Sequence, residues 1–183
     1  MNETPAAHDE HDRALVRRYL DGERDAAGGL VDRYQRTVFN LALRMLGNVQ
    51  DAEDVTQTVF GNAFVSISSY DPKYRFFSWI YRMTVNESLN HLKRRKPMIT
   101  LDERSDIPAR GIPTDNAVEA EDLVRNALMH LHPDDRAVVV LQHFKSLSYM
   151  EIAEVLGISV ITVKSRLFTA RERLRLALHA QGA

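Results

Sequence analysis

The stretch "LSYMEIAEVLGISVITVKSRLFTARERL", Leu147 to Leu174, carries two helices and the turn between them in its pattern alone. Ser148 followed by Glu151 is a capping box, in which a hydroxyl and a carboxylate satisfy the first free amides of a helix. That helix buries Ile152, Val155 and Leu156. Gly157 ends it, because glycine enters the left-handed conformation at a helix terminus without steric cost. Ser159 can cap the next helix at once, leaving a turn of about three residues, the length found in a helix-turn-helix.

In the second helix Val163, Leu167, Ala170 and Leu174 are spaced by four, three and four. At helical spacing they share a narrow sector, which must face a core. Thr162, Ser165, Phe168 and Thr169 fall on the opposite side. Lys164, Arg171 and Arg175 flank that side on one edge, and Arg166 and Arg173 on the other. Such a face suits a major groove, with small polar and aromatic groups toward base edges and cations toward both phosphate walls. A basic helix face is ordinarily just solvated, but Phe168 in its middle shows apolar area with no core to cover it, which favours DNA.

The rest of the chain is read around this pair. Its 183 residues can form one medium domain or two small ones. The absence of cysteine removes disulfides, thiolate metal sites and cysteine nucleophiles, and fits a reducing, cytoplasmic setting. The acidic start "MNETPAAHDEHD" is unlike a signal peptide, and no apolar run approaches membrane-spanning length, so no membrane insertion is expected. The formal charge of −1 hides a pattern. Pro97 to Asp122 holds seven acids, two bases and three of the six prolines, with no sustained apolar period. On either side the periodicity is helical, over Leu15–Gly47, Asp51–Ser69 and Ser78–Arg95, then Glu119–His130, Asp134–Lys145, Tyr149–Leu156 and Val160–Leu178. No segment shows strand alternation bounded by hairpin turns. The expected architecture is all-α: a disordered tail at 1–11, a helical domain at 12–96, a flexible acidic linker at 97–118, a helix-turn-helix domain at 119–178 and a short tail at 179–183.

Two more patches carry chemistry. Tyr70, Tyr74, Phe76, Phe77, Trp79 and Tyr81 place six of the 14 aromatics within 12 residues, interleaved with Lys73, Arg75 and Arg82. Rings beside cations suit single-stranded nucleic acid, since every base offers a stacking face and every phosphate a charge. Trp79, Arg82, Met83, Asn86, Asn90 and Lys93 share one side of the following helix, while Tyr81, Thr84, Val85, Ser88 and Leu92 face inward; Phe77 and Tyr81 are expected in the core. The third patch, "DAEDVTQTVF" from Asp51 to Phe60, has three acids and no base. Ala52, Val55 and Val59 form its inward stripe, and Asp51, Glu53, Asp54 and Gln57 project outward. That face could dock on a basic protein, or it could simply place favourable charge at a helix N-terminus, and spacing alone does not choose.

Together, "RYQRTVFNLALRMLGNVQDAEDVTQTVF", "WIYRMTVNESLNHLKRR" and the opening stretch closely resemble the extracytoplasmic-function sigma factors of bacterial RNA polymerase, over about Asp12 to Leu178. The resemblance implies that the first domain is sigma region two and the second sigma region four, without the extra regions of housekeeping sigma factors. It implies that Asp51, Glu53, Asp54 and Gln57 grip the clamp coiled coil of the polymerase's largest subunit, and that the flap of the second-largest subunit is a further contact. Lys164, Ser165, Arg166, Phe168 and Arg171, with Thr162 and Thr169 on the same face, then meet the duplex minus-thirty-five element of the promoter. The stretch from Ser68 to Trp79, including Tyr70, Lys73, Tyr74, Arg75 and Phe76, with Arg82, Asn86, Asn90 and Lys93, takes the melted minus-ten element. An anti-sigma protein is a further expected partner.

The chain departs from the family's pattern in three places. Ala27 stands where a large aromatic is usual, followed by Gly28 and Gly29, so poor packing is expected there. Ile161 replaces a common glycine before "TVKSR", and Ser146 replaces another before "LSY". The alternative function is a stand-alone helix-turn-helix regulator, which leaves the aromatic cluster and acidic helix without purpose. A hydrolase built on His130, His132 and His143 with Asp134 and Asp135 is disfavoured, because His130 and His132 stand two apart on a helix that breaks at Pro133. No phosphate loop or nucleophile motif occurs, and no metal, cofactor or catalytic residue is expected.

Overall fold

Helices account for every regular element among the described residues, which in this computed structural model are 5–95 and 116–180 for the backbone and 8–95 and 123–176 for the side chains. The N-terminal half holds α1 (Pro5–Leu20), α2 (Asp25–Leu46), α3 (Val49–Ser66), a 3-10 turn (Ile67–Ser69) and α4 (Phe76–Arg95). The C-terminal half holds α5 (Asn116–Met129), α6 (Pro133–Lys145), α7 (Tyr149–Leu156) and α8 (Val160–Ala180). In the first half α2, α3 and α4 pack on one another and α1 lies along α2. In the second, α8 packs on α5, α6 and α7. Periodic apolar stripes drive both arrangements: Leu30, Val38, Leu41 and Met45 of α2 and Val138, Val140 and Leu141 of α6 are all completely buried. Each fully buried leucine contributes about 2 kcal/mol relative to an exposed one.

The tail expected at 1–11 is corrected, because α1 begins at Pro5. Proline suits that first position, where its missing amide would have had no partner. Further along α1, Asp12 is buried and accepts from Arg33 Nε at 2.9 Å and from the Tyr34 hydroxyl at 2.5 Å, tying the helix to α2. Burial pushes the Asp12 carboxyl above its ordinary pKa, although the bonds from Tyr34 and Arg33 pull the other way. Gly22, with φ of 100°, turns the chain between α1 and α2. The expectation of poor packing over Ala27–Gly29 is corrected at Gly29 alone, since Gly28 is exposed with open space around it. A Cβ on Gly29 would stand 3.0 Å from the Leu15 side chain, so the glycine is what lets α1 press against α2, and Leu15, Ala26 and Leu30 are buried around it.

The expected boundaries shift slightly as well. The first turn of α5 takes up 116–118, and α8 runs on through 179 and 180. The rest of the anticipated linker, and the end of the C-terminal tail, lie outside the described residues.

The two halves also touch each other, which periodicity did not foretell: α4 rests on α7, and α2 on α5 and α6. Gly47, in the left-handed conformation at φ 72°, donates its amide to Leu43 O at 2.8 Å and closes α2. A Cβ there would stand 2.7 Å from Met129 Sδ, so a side chain would also displace the end of Met129, although the positive φ is the firmer reason for glycine. Arg136 of α6 is buried and donates to Leu128 O at 2.9 Å, Met129 O at 3.0 Å and Leu131 O at 3.1 Å. It also donates to Met45 O, the last turn of α2. Burial lowers its pKa to about 10, so it stays charged at neutral pH and supplies charge-assisted bonds to carbonyls left over at two helix ends. Beside it the Arg44 guanidinium sits 3.6 Å from the centre of the Phe144 ring.

Candidate nucleic-acid interface

The helix-turn-helix forms from the capping groups read in the sequence. The Ser148 amide donates to Glu151 Oε2 at 2.9 Å and the Glu151 amide to Ser148 Oγ at 3.3 Å, the reciprocal capping box of α7. Gly157 takes φ 65° at its C-terminus, and the Thr162 amide then donates to Ser159 Oγ at 3.1 Å to open α8. Val163, Leu167 and Ala170 are buried and Leu174 half-buried, so the stripe at four, three and four does face the core.

The opposite face of α8 is open. Lys164, Ser165 and Arg171 are exposed, and Phe168 keeps 72% of its surface in solvent. Thr162, Arg166 and Thr169 are half-buried at the margins. Thr162 Oγ1 lies 2.9 Å from Ser159 Oγ, so its hydroxyl belongs to the cap. Arg166 lies 3.8 Å from Asp134 and Arg173 3.1 Å from Asp135, both in the first turn of α6, while Arg171 donates to Gln142 at 3.2 Å.

The aromatic cluster divides into two layers. Tyr70 and Phe76, expected among the nucleic-acid contacts, are buried at 7% and 2% exposure. Their rings pack with Tyr34 and Trp79 at centroid separations of 5.3 to 5.6 Å, forming core. That core braces the loop before α4: the Tyr70 hydroxyl donates to Tyr74 O at 2.7 Å, and Asp71 accepts from the Lys73 amide at 2.9 Å. The loop presents Lys73, Tyr74 and Arg75 to solvent. Along α4, Arg82, Asn86, Asn90 and Lys93 are exposed and Trp79 and Met83 half-buried, while Tyr81, Thr84, Val85 and Ser88 are buried, as the period requires. Burial raises the Tyr81 hydroxyl to about 12.

Two cations of this surface are held by distant parts of the chain. Arg75 pairs with Asp9 of α1 at 3.1 Å and with Glu151 of α7 at 3.0 Å. Arg82 donates to Val155 O at 3.0 Å and to Glu154 O, unpaired carbonyls in the last turn of α7. Asp9, Glu151 and Glu154 were not legible as partners, since these contacts join residues more than sixty apart. Between the halves lies a cavity of about 620 Å3 walled by Tyr74, Trp79 and Arg82 on one side and Glu154 and Ile158 on the other.

On α3, Ala52, Val55 and Val59 are buried and Glu53, Asp54 and Gln57 exposed. Asp51 is corrected: it faces α4, with His91 Nε2 at 3.1 Å and Arg95 on its other oxygen. Phe39, which the sequence did not single out, borders a shallow depression of about 430 Å3 with Arg36, Glu53 and Gln57. Of the three histidines considered for metal, His132 caps α6 by accepting the Asp134 amide at 3.4 Å and His130 lies 2.8 Å from Asn126 O.

Comparisons with known proteins agree with this arrangement. Residues 30–97 match the family model for sigma-70 region 2, and residues 121–174 that for sigma-70 region 4. The chain is 35% identical over 176 residues to the ECF RNA polymerase sigma factor SigW of Bacillus subtilis, covering 89% of this chain and 94% of that one. It is 33% identical over 176 residues to the ECF RNA polymerase sigma-E factor of Escherichia coli, covering 89% and 92%. Among solved structures, CnrH in complex with the cytosolic domain of CnrY superposes with a TM-score of 0.70 at 28% identity, over 93% of this chain and 98% of that one. With both regions matched in order on an all-helical fold and full-length relatives above 30% identity, the chain belongs to the extracytoplasmic-function sigma factors of the sigma-70 family, alternative sigma factors that direct transcription.

Proposed function

We propose that this chain binds core RNA polymerase and selects promoters through two separated surfaces, reading the minus-thirty-five element as duplex and the minus-ten element as melted strand. The observation that carries this reading is the solvent face of α8, where Phe168 is 72% exposed among Lys164, Ser165 and Arg171, directly opposite a buried stripe. On the second helix of a helix-turn-helix such a face enters a major groove, with the cations meeting phosphate. The melted strand falls to Lys73, Tyr74, Trp79, Asn86, Asn90 and Lys93, with Arg75 and Arg82 joining once they leave α7. Tyr70 and Phe76 act from behind, as the packed floor that fixes the loop. Turning a base out of the stack costs a few kcal/mol, and an exposed ring returns about 1–3 kcal/mol per stacked base, so Tyr74 and the open edge of Trp79 are the groups able to offset it. Binding energy, without hydrolysis, opens the strand.

Glu53, Asp54 and Gln57 form the polymerase-docking face, since a carboxylate surface is repelled by phosphate and attracted to a basic protein. Asp51 contributes by fixing α3 against α4. A second partner is an anti-sigma protein: CnrH, similar over nearly its whole length, is seen held by the cytosolic domain of another protein. No helix among the described residues is long and apolar enough to cross a membrane, and a cytoplasmic setting follows from the proposed partners.

Run-off transcription with core polymerase, followed by sequencing of the 5′ ends, tests the reading. A defined set of starts that depends on this chain is the expected result. Asp54→Lys should abolish co-purification with polymerase while leaving the melting curve unchanged, and retained co-purification would count against the α3 assignment. Tight duplex binding without polymerase would instead favour a stand-alone regulator.

A further inference from the structure

Ile161 stands in the first turn of α8 with 80% of its surface exposed, on the face that also carries Lys164, Ser165 and Phe168. The hydroxyls nearest it in the chain, of Ser159 and Thr162, take part in the helix cap. Ser159 Oγ accepts the Thr162 amide at 3.1 Å and lies 2.9 Å from Thr162 Oγ1, so both hydroxyls are tied to the helix cap. What the first turn offers outward is therefore a branched aliphatic side chain. A helix-turn-helix brings the N-terminal residues of its second helix against base edges. In the major groove of unmodified DNA the only methyl group on those edges is the C5-methyl of thymine; the edges otherwise carry donors and acceptors beside small C–H groups.

We infer that Ile161 is a specificity-determining residue that packs on a thymine methyl group in the upstream promoter element. The inference rests on the duplex reading of α8 proposed above. An isoleucine pressed on N7 and O6 of guanine, or on the exocyclic amines of adenine and cytosine, would strip water from a donor or acceptor without replacing the bond, so the side chain selects by exclusion as well as by contact. Phe168 lies seven residues further on the same face, about 10 Å along the helix axis, so the thymine that Ile161 meets is a different position from the one Phe168 covers. Losing one buried methyl contact weakens binding about fourfold.

The test uses polymerase reconstituted with the full chain on a promoter mapped by its own transcripts, with deoxyuridine replacing thymine one position at a time in the upstream element. For the wild-type chain, one replacement should weaken promoter binding about fourfold. Ile161→Ala should bind more weakly overall and be indifferent to that replacement, and Ile161→Val, which keeps the branch, should retain the sensitivity. Uracil tolerated at every position by the wild-type chain overturns the inference, as does an Ile161→Ala chain as sensitive as wild type at every position. Failure of the reconstituted polymerase to select any promoter would overturn the duplex reading together with it.

Discussion

The face of α8 and the face of α4 are built from similar chemistry, yet Arg166, Arg171 and Arg173 of the first are met by side chains of α6 in the same half, while Arg75 and Arg82 of the second are met by the other half of the chain. Phe168 of α8 is 72% exposed. On α4 and its loop, Arg82 is bound to the last turn of α7 and Arg75 to Asp9 and Glu151. An N–H that donates to a helix-terminal carbonyl cannot donate to phosphate at the same time, so Arg82 offers a bound strand fewer donors, in a fixed direction, while it holds α7. Availability of the second surface is therefore coupled to how the two halves sit, and the coupling free energy is the strength of a few charge-assisted bonds.

The contacts that hold the halves together offer the most direct ways to break this contrast. Arg136→Ala should have the largest effect, because it strands carbonyls of Met45, Leu128, Met129 and Leu131 and leaves a void. A loss of about 3 kcal/mol in denaturant unfolding is expected, with the C-terminal half destabilised most. Arg82→Ala should weaken the α4–α7 contact by about 1–2 kcal/mol, read as a larger radius of gyration in solution scattering with helix content unchanged. An unchanged radius would mean that α2 against α5 and α6 suffices to keep the halves together.

Smaller effects sharpen the picture at single groups. The Asp12 carboxyl is raised above its ordinary value in the folded chain, so the folded state binds more protons than the unfolded one just above pH 3.8. Its contribution to stability is accordingly present at low pH and lost as pH rises through the folded value. Comparing melting temperatures of wild type and Asp12→Asn from pH 4 to pH 7 should show wild type losing ground to the variant as pH increases. Ser146, at φ 52°, caps α6 in a conformation that glycine adopts without strain. Ser146→Gly should stabilise the chain by no more than about 1 kcal/mol in thermal unfolding, leaving the helix-turn-helix unaltered.

What was legible in the sequence follows the range of the interactions concerned. The capping box of Ser148 and Glu151, the left-handed Gly157 and the buried stripe of α8 all rest on groups within a few residues of one another, and each appears as read. Tyr70 and Phe76 misled because composition cannot distinguish a ring that stacks on a base from one that packs on Tyr34, a helix away in the chain. Gly29 misled for a related reason, since its low helix propensity is visible locally and its role as a seat for Leu15 is not.

By itself, then, the sequence determined an all-helical chain in two halves, which residues of each helix face inward, and the family to which the motifs belong. Only the tertiary structure decided that α1 starts at Pro5, that Asp51 turns toward His91 and Arg95, and that Arg75 and Arg82 answer to α7. The reason is physical. Helix period and capping are set by neighbours along the chain, whereas the partner of a long, charged side chain is set by whichever carbonyl or carboxylate the folded backbone carries to it, at a sequence separation that no local pattern records.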